Sequence, residues 1–225
     1  MPAHWQQIRL KHVVNRVIDT EHKTAPVYED GEYMIVRTSN VRAGRLVFAG
    51  ANYTDLEGFL EWTNRGTPKP GDILFTREAP AGEACLVPEG VDLCLGQRMV
   101  LFKLKHGRVV PEFVVSSLYA GLSEEFVRSL SQGSTVAHFN MSDIGNIPLF
   151  EPPRNEQMEI AQYVDKKLDS FDGLIREAGR SVFIMQERRS SLISAAVTGK
   201  IDVRDWEPPT SEIFPQSTVN EEAPA

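Results

Sequence analysis

The sequence predicts an α+β chain: a globular domain with a mixed or antiparallel sheet over residues 1–150, then one long coiled-coil-forming helix. Two observations carry that expectation. Short runs rich in Val, Ile and Phe recur through the first 150 residues and bracket a helical segment, an arrangement of separate strands and helices rather than a strict alternation. From Asn155 to Thr198 the apolar residues Ile160, Val164, Leu168, Phe171, Ile175, Ala178, Val182, Met185, Leu192 and Ala196 keep to one helical stripe. After Leu168 the steps alternate three and four, broken only where Arg189 falls on the stripe, which is a heptad seam.

Trp5 to Leu10 reads as a short strand or turn, and Val13, Val14, Val17 and Ile18 as a short helix after it. Tyr33–Arg37 and Arg45–Phe48 are β-rich, with Thr38-Ser39-Asn40 as a loop between them. Leu56 to Thr63 suits a helical turn, and Pro68 and Pro70-Gly71 mark a turn. Asp72–Thr76 and Arg98–Leu104 are the clearest strands. Between them, Ala84–Val87, Pro88-Glu89-Gly90 and Leu93–Leu95 suggest a hairpin. Pro111 opens a helical region in which Phe113, Val114, Ser117, Leu118 and Leu122 share a face that Phe126, Val127 and Leu130 continue. Gln132–Thr135 is a loop, and Ile147–Phe150 a last strand.

The long helix has its own punctuation. Pro152 and Pro153 precede it, Asn155 suits the N-cap, and Glu156 and Glu159 suit the positive end of the dipole. Arg188 and Arg189 suit the negative end, and Gly199 a C′ stop. At 1.5 Å per residue the rod is roughly 65 Å long, more than one small domain covers, so its seam wants a partner helix. The alternative is a helix packed on its own domain, since Gly173 and Gly179 weaken the rod. The helix and its stop occupy 151–205. The stretch 206–225 has four prolines and no basic residue and reads as a disordered acidic tail.

Composition narrows the function classes. The chain has 225 residues and no run of 18 apolar ones, so no transmembrane helix and no membrane partner is expected. Met1–Leu10 has no apolar signal core, which argues for a cytoplasmic protein. Cys85 and Cys94 are too few for a zinc site and read as small buried hydrophobes, with a disulfide across the hairpin as the alternative. The net charge of −7 argues at first against nucleic acid, but residues 1–150 hold 15 Lys+Arg and 17 Asp+Glu. Much of the excess lies in the tail, so a basic face on the domain is compatible with the total.

Catalytic equipment is missing. Glu151-Pro-Pro-Arg154 superficially looks like an amino-methyltransferase motif but lacks its Asn/Asp and Tyr, and no P-loop pattern occurs. Asp19, Glu21 and Lys23 lie in a polar, surface-like segment, and Ser134 near His138 lacks a nucleophile-elbow context. The five histidines have no metal spacing, so neither catalytic residues nor metal ligands are expected.

An ordered set of phrases resembles the specificity (S) subunit of type I restriction-modification systems. They are Gly71–Arg77 with Ala81-Gly82, Leu95–Met99, Gly133-Ser-Thr135 with His138-Phe-Asn140, Ile147-Pro-Leu149, Pro153-x-x-Glu156-Gln157 with Ile160-Ala161, and Leu192–Val203. The resemblance covers about residues 5 to 205. It implies a target recognition domain that reads one half of a bipartite DNA sequence, followed by a conserved spacer helix. In that family two such helices pair antiparallel and two methyltransferase (M) subunits dock along them. The S subunit is not itself an enzyme: S-adenosylmethionine chemistry belongs to the M subunits, and ATP-driven, Mg-dependent cleavage to the restriction (R) subunits. No cofactor is therefore expected here. The departure is that one recognition domain and one helix are present, as in a half-length S form or one half of a longer chain.

Partners implied are double-stranded DNA, M and R subunits, and another S half or a second copy as homodimer partner. Phosphate contacts call for Arg, Lys, Ser, Thr and Asn in loops, and base readout for Arg, Asn or Gln. The candidates are Arg37, Ser39, Asn40, Arg42, Arg77, Gln97, Arg98, Ser134, Thr135, His138 and Asn140. In the family the Gly-Gln-Arg and Gly-Ser-Thr phrases recur across domains with different targets. That favours scaffold or backbone roles for Gln97 and Arg98 and points to Arg42–Arg65 for base reading. The competing class is a coiled-coil interaction or decoy module that does not bind DNA; the acidic balance favours it, and the ordered phrases outweigh it.

Overall fold

A computed structural model of the chain describes residues 2–20, 23–105, 107–131 and 139–207. In chain order the elements are β1 (Gln6–Arg9), β2 (Val14–Asp19), β3 (Tyr33–Val36), β4 (Val41–Arg42), β5 (Arg45–Leu46), β6 (Asn52–Thr54), α1 (Leu56–Trp62), β7 (Ile73–Thr76), β8 (Ala84–Leu86), β9 (Leu93–Leu95), β10 (Met99–Leu104), α2 (Pro111–Leu118), α3 (Gly121–Ser131), α4 (Met141–Gly145), β11 (Pro148–Glu151) and α5 (Arg154–Val197). They form two compact units, Met1–Leu168 and Asp169–Ala225. The class is α+β as the sequence predicts.

In the first unit, β2-β10-β7-β8 make an antiparallel sheet, and β6-β3-β9 a mixed one in which β3 and β9 run parallel. The inward residues of the larger sheet are apolar on both faces. Phe75 and Phe102 stack with centroids 5.1 Å apart, and Phe139 closes on Phe75 at 5.8 Å. On the opposite face Leu74 and Leu101 pack with Met34, Val36 and Leu93 of the mixed sheet. β1 pairs with β11 antiparallel, Gln6 opposite Glu151, and so brings the start of the chain beside the start of α5.

Three sequence expectations are corrected. Val13–Ile18 is not helical: its β-branched residues form β2, with Val17 opposite Phe102 and Ile18 opposite Leu101. Ala84–Leu95 is not a hairpin either, because β8 pairs with β7 and β9 joins the other sheet beside β3. Cys85 and Cys94 are both free and buried, and burial pushes each thiol up to about 12. The helical face after Pro111 is split, since Gly121 takes a φ of +51° that ends the run between α2 and α3.

The first turns of α5 are fastened to this unit. Gln157 is buried; its Nε2 donates to Pro152 O (2.9 Å), and its Oε1 accepts from Val110 N (2.9 Å). Glu156 accepts from Trp5 Nε1 at 2.9 Å and lies 2.9 Å from His4 Nε2. Ala161 packs with Val110 and Phe113. Asn155 is not the N-cap. The helix starts one residue earlier, and Pro153 O takes the first backbone bond, from Gln157 N. Pro153 needs no N–H there, so the cap role passes to it.

In the second unit α5 continues from Asp169 to Val197. Leu168, Phe171, Ile175, Val182, Met185 and Leu192 are 44–68% exposed, so the seam is uncovered. Gly199, with φ +71°, ends the helix as expected: its N–H donates to Ala196 O and the Lys200 N–H to Ala195 O, a Schellman stop. Among the described residues no helix is long and apolar enough to cross a membrane.

Two stability outcomes follow from the fastening. Gln157→Met keeps the bulk but strands a buried N–H and C=O; urea unfolding should show a loss of about 2–4 kcal/mol. Near it, Arg108 forks onto Glu151 (2.8 and 3.0 Å) and holds that carboxyl below its usual range. A lowered acid stabilises the fold above its unfolded pKa, and that contribution fades as pH falls through the folded value. Thermal melts between about pH 5 and about pH 3 should therefore fall less steeply for Arg108→Ala than for the wild type.

Candidate DNA interface

Three short segments converge at one edge of the mixed sheet. After β3 the chain turns through 37–40; after β7 it loops through 77–83; and 96–98 joins β9 to β10. Gly96 permits the approach: its N–H donates to Val36 O at 2.8 Å, and a Cβ there would stand 2.9 Å from that same oxygen. Thr38 Oγ1 donates to Ala79 O (3.1 Å), joining the first two segments. Arg98 stands at φ +68° with its Nε 3.6 Å from Glu78 Oε1, joining the last two.

These segments line a shallow groove of about 240 Å³ with Arg37, Thr38, Asn52, Gln97 and Arg98 on its walls beside Ala25, Val27 and Ile35, and with no carboxylate among the described lining residues. Arg37, Gln97 and Arg98 are exposed. Arg37 Nη2 donates to Gly50 O at 2.6 Å, which steadies its guanidinium. The groove is smaller than a usual small-molecule site. Its guanidinium, amide and hydroxyl groups match what phosphate contact and base-edge readout require.

The predicted candidates separate accordingly. Arg37, Gln97 and Arg98 are brought together. Ser39 and Arg42 are exposed nearby in sequence but do not line the groove, and Asn140 is exposed at the N-cap of α4. Two candidates are withdrawn as DNA contacts because they serve the interior. Asn40 is fully buried; its Nδ2 donates to Val47 O, and its Oδ1 accepts from Arg37 N. Arg77 is buried against Asp19 (2.6 Å) and Phe139 O (3.2 Å). Ser134, Thr135 and His138 lie outside the described residues, as does Glu21. Sequence reasoning missed Thr38 and Asn52. The signal for Asn52 was its place in the 42–65 stretch; Thr38 had none beyond its neighbours. Among the described residues no group of three or more His, Cys, Asp or Glu could hold a metal.

Residues 2–177 match the family model described as type I restriction modification DNA specificity domain. The type I restriction enzyme MjaVIII specificity subunit of Methanocaldococcus jannaschii is 24% identical over 213 residues, 91% of this chain and 48% of that one. A chain from a study of complex assembly and conformational transition of the type I R-M system superposes with a TM-score of 0.63 at 16% identity, covering 87% of this chain and 46% of the other. The HsdS subunit from Thermoanaerobacter tengcongensis gives 0.55 at 18% identity, covering 78% and 40%. The chain spans about half the length of the relatives it matches, and at these identities the solved structures share its fold.

The burial difference gives a direct test. Arg77→Met removes the ion pair to Asp19 and the bond to Phe139 O from the interior and should cost about 2 kcal/mol in urea unfolding. Arg98→Asn, which tolerates a positive φ, should stay within about 0.5 kcal/mol of wild type.

Proposed function

The chain belongs to the type I restriction modification DNA specificity domain family, and from that premise we propose that it reads one half-site of a bipartite DNA target and docks M subunits along α5. The observation that carries the reading is the match across residues 2–177, which takes in both the recognition unit and the first half of the helix. The groove walled by Arg37, Thr38, Asn52, Gln97 and Arg98 contacts the DNA, Arg37 and Arg98 through phosphates, and the exposed Ser39, Arg42 and Asn140 add further contacts. The recognition domain is 1–150, the spacer and its stop 151–205, and 206–225 an acidic tail. The chain supplies no catalysis. M subunits bring S-adenosylmethionine and R subunits bring ATP and Mg, in the cytoplasm, where the DNA is.

The exposed seam from Ile160 to Ala196 pairs with the helix of another S half or of a second copy. With a second copy, antiparallel pairing places a two-fold axis across the rod. Protein symmetry is then mirrored in the DNA, and the target is an interrupted palindrome with half-site centres about 34 Å apart. Sequencing the modified bases of DNA treated with this chain and its M subunit checks this; an asymmetric bipartite motif would replace the homodimer with a mixed pair. The decoy reading makes the opposite forecast, no salt-dependent DNA binding with the M subunit present. Under the recognition reading, affinity falls steeply with salt, and Arg98→Asn lowers the slope of log K against log [salt] by about 1.

A further inference from the structure

An open pocket of about 560 Å³ lies where β2 starts and β10 ends, walled by Asn15, Thr67, Lys69, Asp72, Lys103 and Leu104. Asp72 is spent within the chain: its Oδ2 accepts from Lys103 Nζ (2.6 Å) and Lys69 N (2.8 Å). Beside the pocket the strand register sets Arg16 directly opposite Lys103. Like charges facing each other across a strand pair are destabilising. Only Lys103 is given a carboxylate; the Arg16 guanidinium reaches the Arg65 carbonyl at 3.3 Å. Beyond Leu104, Lys105 Nζ and Arg108 Nη1 both donate to His12 O (2.8 and 3.0 Å).

Six of the 15 Lys and Arg of residues 1–150 gather on this strip: Lys11, Arg16, Lys69, Lys103, Lys105 and Arg108. Asp72 pairs with Lys103, and Glu151 with Arg108. Among the described residues no carboxylate pairs with Lys11, Arg16, Lys69 or Lys105, and all four are exposed. Uncompensated cations this concentrated, in a unit whose own balance is slightly acidic, attract a ligand that carries several negative charges. Lysine is a point charge without the planar fork that reads a base edge, so the strip suits phosphates. It belongs to the same compact unit as the groove. Along β10, Lys103 is five residues from Arg98, about 17 Å, or about half a helical turn of duplex.

Resting on the DNA reading proposed above, we infer that this strip is a second phosphate-contact surface, separate from the groove, on which Arg16, Lys69 and Lys105 hold the backbone of a DNA duplex without reading its sequence. A duplex seated on the groove and lying along β10 reaches the strip within half a turn. The ligand chemistry is the phosphodiester, so the strip adds affinity equally for every sequence and leaves the choice of target to the groove. An anion between Arg16 and Lys103 also relieves the repulsion that the register imposes on them.

The test is the salt dependence of DNA binding by the full chain with its M subunit. Arg16→Gln, Lys69→Gln and Lys105→Gln, combined, should lower the slope of log K against log [salt] by about 3, since each phosphate contact contributes about 0.9. Affinity should fall by the same factor for a duplex carrying the modified motif and for a scrambled one, and the motif itself should not change. Arg16→Lys, Lys69→Arg and Lys105→Arg keep the charge and should keep the slope, which separates a lost contact from a damaged fold. An unchanged slope in the Gln variant overturns the inference. So does a loss confined to the motif duplex, which would make these residues base readers. A free nucleotide as occupant predicts that ATP, at matched ionic strength, displaces DNA from the wild type and not from the Gln variant; that result overturns the inference too. If Arg98→Asn lowers the slope and the Gln variant does not, only the strip assignment falls. If the wild type shows no salt-dependent binding, the recognition reading falls and the strip with it.

Discussion

The arrangement depends on one buried amide. Gln157 ties the first turn of α5 into the first unit: its carboxamide joins Val110, just before α2, to Pro152, just after β11. Both backbone groups it satisfies are out of water, so the side chain is held in one orientation. Glu156 beside it draws in the chain's beginning through Trp5, and β1 pairing with β11 carries the same tie on the other side. These contacts tie the first turns of α5 to the sheets of the first unit.

The same logic explains the phrases through which the family is recognised. In Gly71–Arg77, Asp72 accepts from Lys69 N and Lys103 Nζ, Thr76 Oγ1 accepts from Glu83 N, and Arg77 joins Asp19 to Phe139 O. In Leu95–Met99 the glycine is required by close backbone approach at Val36 O. Each phrase satisfies polar groups that the sheets bury, and burying them unpaired would be costly. Residues spent on the interior in this way describe the scaffold and say little about what the surface contacts. Gln97 and Arg98 are the mixed case: their backbone belongs to a fastening turn, yet their side chains face solvent in the groove.

How much was legible in the sequence follows the range of the interactions concerned. α5 was legible to within a residue at each end, because its stripe and its glycine stop are local. So were β3, β7 and β10, whose apolar runs are nearly buried throughout. The errors fell where partners are distant in sequence. β2 reads equally well as a short helix until β10 is placed beside it, and β8 and β9 look like a hairpin until β3 claims β9. The candidate site was half legible for the same reason: residue type nominated Asn40 and Arg77, and only tertiary packing shows both spent on the interior, while Asn52 enters through the pairing of β6 with β3.

The net charge, the observation that spoke most directly against a nucleic-acid partner, loses its force once charge is located. Among the described residues no carboxylate lines the groove, and Arg98 on its wall has Glu78 Oε1 3.6 Å from its Nε. Along α5 the acidic residues concentrate in the half that leaves the domain and the basic ones in the half that ends at Gly199. A total of −7 spread this way describes neither the groove nor the helix, whose two halves carry opposite signs. Apolar burial along the seam favours any pairing, worth about 1.5–3 kcal/mol for each large side chain fully covered, without choosing its direction. The acidity is therefore a property of particular segments, the first half of α5 and the stretch after Trp206, and not of the unit that carries the groove.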